Sequence, residues 1–183
     1  MVKNYQNVLA SLVMTFAMAF PVVGSAGIID WDISGPGTLS SSGSLGDETL
    51  SYNYSAFSGT WTVFGVADQA GDYTFDYDYS GLHSWYQVTA FLTSSAGDTL
   101  YSAGPQNCCT TPSNGFSTSG IYTFTNVGAG DTIGFSLGGS NYDSAQILQG
   151  SLHLAQVPEP AALALFGLGL LGMAFSKRRK MQA

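Results

Sequence analysis

Three aspartates in one short segment are the first residues of this sequence whose type and spacing could do chemistry. Asp72, Asp76 and Asp78 alternate with other residues, so a β-strand would place all three on one face, with Asp76 and Asp78 about 6.6 Å apart. Carboxylates suit calcium, and we regard this face as a candidate calcium site; residues 141–143 form a second acidic loop. The spacing differs from that of an Asp-x-Asp-x-Asp-Gly calcium loop, and a solvated strand face explains it more simply.

Histidine is scarce, which limits the catalytic chemistry of the chain. His83 and His153 are its only imidazoles, so a nucleophilic triad or a zinc site would have to use one of them. The sequence contains neither a His-Glu-x-x-His zinc motif nor a Gly-Lys-Ser/Thr phosphate loop. Two acidic residues could form a glycosidase pair, but the 130 residues of segment 27–156 leave little room for a cleft beside a core. We therefore predict that the protein is not an enzyme.

The segment that starts at His83 also carries two adjacent aromatic residues, Trp85 and Tyr86. Aromatic rings stack on the apolar faces of pyranose sugars, while neighbouring oxygens accept hydrogen bonds from the sugar hydroxyls. Consecutive residues of a strand point to opposite faces, so only one of these two rings serves a given surface. Aromatic residues make up 13% of the chain, and we expect most of them to fill the core.

Cys108 and Cys109 are the only cysteines, and they are adjacent within a loop rich in Pro, Thr, Ser and Asn. In an oxidising compartment they could form a vicinal disulfide, bond two other chains, or remain a reactive thiol pair. We favour the vicinal disulfide. Because such a bond closes a very short loop, it would tighten one turn and remove little chain entropy.

The charge of segment 27–156 is strongly one-sided. It contains eleven acidic residues and no lysine or arginine, which gives a formal charge of −11. Binding to a phosphate backbone requires cations on the protein, so this charge excludes most nucleic-acid roles. The same charge disfavours docking on anionic lipids and makes calcium the natural counter-ion.

Alternation of apolar and polar residues predicts β-strands throughout segment 27–156. The alternating runs are 50–54, 60–66, 71–79, 85–93, 120–125, 131–137 and 147–155. Turn-forming clusters occur at 41–44, 68–71, 128–131 and 138–141. Seven to nine short strands at this spacing predict one all-β domain, an antiparallel β-sandwich of the jelly-roll type.

The N-terminal 26 residues have the features of an export signal. Lys3 supplies a positive charge, residues 8–23 are nearly all apolar, and small residues precede a cleavage site after Ala26. We therefore predict a helical signal peptide at 1–26 that is removed on export.

The C-terminal segment, 157–183, has three parts. The first is Val157, Pro158, Glu159 and Pro160, the second is the uncharged apolar stretch 161–175, and the third is the basic cluster Lys177, Arg178, Arg179 and Lys180. Fifteen helical residues span about 22 Å, less than the roughly 30 Å of a bilayer core. Helix 161–175 therefore suits a temporary membrane anchor with its basic cluster in the cytoplasm.

This C-terminal arrangement resembles the PEP-CTERM sorting domain of Gram-negative bacteria, and the motif Val-Pro-Glu-Pro-Ala at 157–161 is intact. The resemblance implies export across the inner membrane and recognition by an exosortase, a processing enzyme that cuts near Pro-Glu-Pro. Residues 72–79, 83–86 and 130–143 are also loosely similar to β-sandwich domains that precede such tails. An ordinary single-pass anchor is the alternative that we disfavour.

Together these features predict an exported, non-enzymatic protein of the cell surface or extracellular matrix, associated with exopolysaccharide or biofilm. The alternative is a carbohydrate-binding module, with calcium as a candidate cofactor, that uses Trp85 or Tyr86 together with Asp72, Asp76 and Asp78. A small secreted hydrolase is a third class, disfavoured because histidine is so scarce.

Overall fold

The structure is a computed structural model that describes residues 27–84, 88–106 and 115–158. These residues form ten β-strands and no helix. The strands are β1 (Asp32–Ser34), β2 (Thr38–Ser44), β3 (Asp47–Ser55), β4 (Ser58–Val66), β5 (Gly71–His83), β6 (Val88–Ser94), β7 (Thr99–Gln106), β8 (Gly115–Val127), β9 (Thr132–Ser140) and β10 (Ile147–Gln156).

The strands form two five-stranded sheets in which every pairing is antiparallel. The first sheet has the order β1-β4-β9-β6-β7, and the second has the order β2-β3-β10-β5-β8. Strands β3 to β10 alone, arranged as β3-β10-β5-β8 and β4-β9-β6-β7, have the strand order of a jelly roll. β1 and β2 each extend one sheet at its edge. The prediction of an antiparallel all-β sandwich is confirmed.

The core lies between the sheets because alternate side chains of each strand point inward. On β5, Tyr73, Phe75 and Tyr79 are completely buried, whereas Asp76 and Asp78 are exposed on the opposite face. The same alternation on the other strands joins aromatic and aliphatic side chains into one continuous cluster.

Aromatic contacts join the two sheets within this core. Tyr52 of β3 and Trp61 of β4 stack with their ring centroids 3.7 Å apart. Trp31 packs edge-on against Phe75 with a centroid distance of 5.0 Å. The whole buried cluster lies between residues 29 and 154. Residues 27–158, called the exported domain below, therefore contain a complete core, and we expect them to fold independently.

Two of the predicted turns are wrong, because they lie in strands. Residues 41–44 belong to β2, an edge strand with mostly exposed side chains, so its sequence lacks the apolar alternation of a strand. Residues 138–140 belong to β9, where a Cβ on Gly138 or Gly139 would overlap the backbone of β4 or β6. Glycine is needed there for close strand approach and not for a turn. The predicted turns that begin at Asp68 and Gly128 are confirmed.

The sequence pattern does not predict β1, β2 or β7, which lie at sheet edges where little alternation is required. The run predicted at 85–93 corresponds to β6, and its first three residues lie outside the described part of the chain. The helices predicted at 1–26 and 161–175 also lie outside it. Within the described residues, the chain contains no helix long and apolar enough to cross a bilayer.

Candidate functional site

At one end of the sandwich, which we call the four-loop end, β3, β5, β7 and β9 end and β4, β6, β8 and β10 begin. The four connections join β3 to β4, β5 to β6, β7 to β8 and β9 to β10. Ser55, the last residue of β3, pairs with Ile147, the first residue of β10. Ser58, the first residue of β4, pairs with Ser140, the last residue of β9. The described residues of these connections are 56–57, 84 and 141–146. Segments distant in sequence therefore form one surface.

Two exposed aromatic rings, Phe57 and Tyr142, form what we call the aromatic pair at the four-loop end. Their ring centroids are 6.3 Å apart and their planes differ by 25°, so they present one apolar surface. Phe57 is 50% exposed and Tyr142 is 56% exposed. The backbone N–H of Asn141 donates a 2.7 Å hydrogen bond to the carbonyl of Phe57, which fastens the two loops together. The backbone thus fixes the pair while the rings stay open to solvent.

The loop that holds Tyr142 also carries a carboxylate. Asp143 follows Tyr142, and its Oδ2 accepts a 3.1 Å hydrogen bond from the Ser84 hydroxyl. Desolvation acts to raise the pKa of Asp143, but hydrogen bonds from the hydroxyls of Ser84 and Ser144 and from backbone N–H groups lower the pKa below its usual value. The carboxylate therefore stays ionised at neutral and mildly acidic pH and is an acceptor for hydroxyl donors.

Asn141 anchors this loop from below. Its side chain is completely buried, and its Oδ1 accepts a 2.8 Å hydrogen bond from the N–H of Asp143. Within the described part of the chain, its Nδ2 has no hydrogen-bond partner. The loop that carries Tyr142 and Asp143 is therefore held in one conformation by a buried side chain as well as by the backbone.

A buried hydrogen-bond network lies below the four-loop end, where His83 ends β5. The Nδ1 of His83 is 2.8 Å from the carbonyl oxygen of Thr89, so Nδ1 carries the proton and donates. Nε2 then accepts from the Tyr52 hydroxyl at 2.8 Å, and the Tyr79 hydroxyl donates to that of Tyr52 at 3.0 Å. Burial raises the pKa of both tyrosines and lowers the pKa of His83. The network is therefore uncharged, and it joins strands of both sheets.

The outer face of the second sheet is mostly polar. One row across it contains a serine on each of the five strands: Ser40, Ser51, Ser151, Ser80 and Ser117. A shallow groove of about 440 Å³ runs along the middle of this row. Its lining is formed mainly by hydroxyl and amide side chains, without an exposed aromatic ring among its described residues.

The candidate calcium residues lie on this same face. Asp72, Asp76 and Asp78 are all exposed, and Asp72 accepts a 2.8 Å hydrogen bond from the N–H of Asn126. Across residues 27–84, 88–106 and 115–158, no three Asp, Glu, His or Cys side chains are grouped so that they could hold a metal ion. Calcium binding stays a prediction. Asp72 lies at the start of β5, whereas Asp78 lies near its middle, about 20 Å along the strand from Asp72, so the three acids are spread along the strand.

Both histidines are engaged in hydrogen bonds, His83 in the buried network and the exposed His153 with Asp47 Oδ1 at 2.8 Å.

A Gly-x-Ser-x-Gly pattern, which marks the nucleophile of many hydrolases, occurs at 134–138. The structure places Ser136 in the middle of β9, paired with residues of β4 and β6. A nucleophile elbow requires a sharp strand-to-helix turn, so this serine does not have that geometry.

Several predicted site residues lie outside the described part of the chain, and the roles predicted for them stay predictions. They are Ala26, Trp85, Tyr86, Cys108, Cys109, Glu159, Pro160, Lys177, Arg178, Arg179 and Lys180. Val157 and Pro158 are described and exposed. The N–H of Val157 donates a 2.8 Å hydrogen bond to the carbonyl of Thr74, so the sorting motif begins where the chain leaves the second sheet.

Comparison with known families identifies the C-terminal segment. Residues 156–180 match the model of the PEP-CTERM protein-sorting motif. The resemblance drawn from the motif is confirmed, and it defines the class: an exported protein whose precursor carries a sorting signal. More particularly, the chain joins a PEP-CTERM sorting motif to an antiparallel β-sandwich domain.

No curated protein matches this chain. Among solved structures, TmCBM61 in complex with β-1,4-galactotriose has a TM-score of 0.37 at 13% identity, covering 70% of this chain and 88% of that chain. The C-terminal CBM6 of LamC from Zobellia galactanivorans has a TM-score of 0.29 at 14% identity, covering 73% and 93%. The module CBM6cm-2 from Cellvibrio mixtus lichenase 5A, in complex with cellotriose, has a TM-score of 0.29 at 8% identity, covering 72% and 99%. These values are too low to transfer a binding site.

Proposed function

We propose that this protein is a non-enzymatic component of the cell surface or extracellular matrix that holds polysaccharide at its four-loop end. The observation that carries the proposal is the exposed aromatic pair, Phe57 and Tyr142, in loops that also hold the ionised carboxylate of Asp143, the residue after Tyr142. Large exposed apolar groups that lie together on a surface mark binding sites more often than isolated ones do.

The chemistry of the aromatic pair suits a sugar ring. The C–H face of a pyranose packs on an aromatic ring, and its hydroxyls donate to a carboxylate at the edge of the contact. Hydrogen bonds from Asn141 and Ser84 hold the loops before a ligand arrives, so little conformational entropy is lost on binding. Phe57 is absent from the sequence-based hypothesis, because it lies alone in a short turn with no motif around it.

The charge of the domain selects among polysaccharides. The exported domain has eleven acidic residues between 27 and 156 and no lysine or arginine. An anionic chain rich in uronic acids would be repelled, since no lysine or arginine offsets its charge. The ligand is therefore a neutral polysaccharide.

Two residues that could have served in catalysis support a binding role without chemistry. His83 is buried within hydrogen bonds, and Ser136 lies inside a strand.

Truncation of either ring of the aromatic pair should weaken binding. We expect the exported domain to be retarded in gels that contain a neutral polysaccharide from the set cellulose, xylan, galactan and dextran, and not in gels that contain alginate. Truncating a ring at the centre of a contact costs more than about 1 kcal/mol, so Phe57→Ala or Tyr142→Ala should weaken retardation about tenfold. Val66→Ala is the matched control, because Val66 is 56% exposed at the other end of β4.

Two results would contradict this proposal: no retardation by any of the neutral polysaccharides, or equal retardation of the wild type and both ring variants. If the domain released reducing ends from a polysaccharide that it binds, the protein would be an enzyme, and only the non-enzymatic part of the proposal would be wrong.

The proposal includes processing by an exosortase-type enzyme in a Gram-negative envelope. The sandwich ends at Val157, so the Pro-Glu-Pro motif follows the last sheet contact directly, where a processing enzyme reaches it without unfolding the domain. Mass spectrometry of the protein from its native envelope should find a C-terminus near residues 158–160 and no basic cluster. A Pro158→Ala and Pro160→Ala double variant should keep the cluster. Retention of the basic cluster in the wild type would instead identify an ordinary membrane anchor.

A further inference from the structure

Among the strands that the structure describes, β8 has a long edge without a partner. It covers Gly115–Val127, thirteen residues, and among the described strands it pairs with β5 alone. Half of its backbone N–H and C=O groups therefore point away from the sheet. Such a row of unpaired groups is a template for another strand.

From Gly115 to Phe124, the edge of β8 lacks the features that normally prevent pairing, and its irregularity, a register shift beside Asn126 with a φ of 56°, lies near the C-terminal end of the strand. Its thirteen residues include no charged residue and no proline. The other edges are protected: β1 has only three residues and carries Asp32, and β7 contains Pro105 and pairs irregularly with β6. β2 is about half as long as β8 and contains Gly43, which has a φ of 121°. Native proteins use short length, charge, proline and irregular pairing to block edge association, so β8 is the exception in this domain.

The side chains on the outer face of β8 form a pattern that is complementary to itself. They are all exposed: Ser117, Ser119, Ile121, Thr123 and Thr125. In an antiparallel pair of two β8 strands centred on Ile121, each serine faces a threonine and Ile121 faces its own copy. Ile121 is 69% exposed, the largest value among the exposed large apolar residues of the described chain. Cross-strand pairs of these types each contribute roughly 0.2–1 kcal/mol.

We propose that β8 is a self-association edge, which pairs antiparallel with β8 of a second copy to make one continuous ten-stranded sheet. This pairing is two-fold symmetric, so it closes as a dimer and leaves no new edge at the joint. A second copy fits because it supplies the same uncharged, hydroxyl-rich edge in the reverse direction. The inference goes beyond the proposed polysaccharide binding, since the β8 edge has no residue in the aromatic pair.

Electrostatic repulsion between the copies is compatible with this pairing. The nearest acidic residues on the outer face, Asp76 and Asp78, lie on β5, so those of the two copies are three strand spacings apart, about 14 Å. The Debye length at 0.15 M ionic strength is about 8 Å, so physiological salt largely screens this repulsion. Association should therefore strengthen as the salt concentration rises.

Sedimentation equilibrium of the exported domain at increasing protein concentration tests the proposal. We expect a monomer–dimer equilibrium in 0.15 M NaCl, with the dissociation constant at least tenfold higher in Ile121→Lys. Val66→Lys is the control, because it adds the same charge at an exposed apolar position away from β8, and it should leave the constant unchanged. Circular dichroism confirms that both variants are folded. A wild type that stays monomeric at every concentration, or a dimer equally weakened by both lysines, would overturn the proposal.

A cross-linking experiment tests the register independently. In a Cys108→Ser and Cys109→Ser background, Ile121→Cys should form a disulfide-linked dimer on mild oxidation, because directly opposed residues lie within disulfide range. Ser117→Cys should not cross-link to itself, since its two copies would be eight residues apart along the strand, about 26 Å. A mixture of Ser117→Cys and Thr125→Cys chains should cross-link. Equal self-cross-linking of the 117 and 121 variants would contradict this interface.

Discussion

Replacing Gly139 with alanine should destabilise the exported domain by about 3 kcal/mol or more. Gly139 lies in β9, which passes between β4 and β6 in the first sheet. A Cβ at this position would overlap the carbonyl oxygen of Thr89 on β6, and backbone atoms in a central part of a sheet have little room to move. The neighbouring strands would have to separate, which breaks hydrogen bonds of the ladder and opens the core beneath it.

The urea midpoint of unfolding measures this effect, with Gly104→Ala as the control. Gly104 lies in the edge strand β7, and a Cβ there would meet no atom within 4 Å. Its replacement should change stability by less than about 1 kcal/mol, since alanine fits a strand at least as well as glycine does. Equal midpoints for the two variants would show that Gly139 lies in an open turn, as the sequence pattern predicted, and that the register of β9 is wrong.

Acid should destabilise the domain through His83 before the carboxylates titrate. Burial lowers the pKa of His83 in the folded state, whereas in the unfolded chain the imidazole has its ordinary pKa of about 6.5. The unfolded state therefore binds more protons, so the stability contributed by neutral His83 is complete above pH 6.5 and is lost as the pH falls below it. Protonation also puts a donor on Nε2, which removes the acceptor of the Tyr52 hydroxyl.

Melting temperatures measured from pH 7.5 to pH 5.5 test this prediction. The wild type should lose stability across this range, and His83→Gln should show a flatter profile because glutamine does not titrate. His153→Gln removes the other imidazole, which is 45% exposed beside Asp47, and this variant should still lose stability across the range because His83 is intact. Parallel profiles for the wild type and His83→Gln would contradict the assignment of His83 as the acid-sensitive group.

The sequence alone determines the fold class and the sorting signal, because both depend on patterns among residues that are close together in the sequence. Alternation in β5 places Tyr73 and Phe75 inside and Asp76 outside, whichever strands lie beside it. The sorting motif is linear, so residues 157–160, the apolar stretch and the basic cluster identify it without a fold. The absence of lysine and arginine likewise gives segment 27–156 its formal charge of −11 without any reference to the fold.

Only the tertiary structure decides which residues meet. Phe57 and Tyr142 come together because β3 and β9 end, and β4 and β10 begin, at the same end of the sandwich, and no local sequence pattern predicts that pairing. The role of Gly139 depends on how closely β6 approaches, and the free edge of β8 depends on which strand lies last in the sheet. These properties arise from contacts between residues far apart in the chain. Such contacts stabilise the domain only once both sheets have formed.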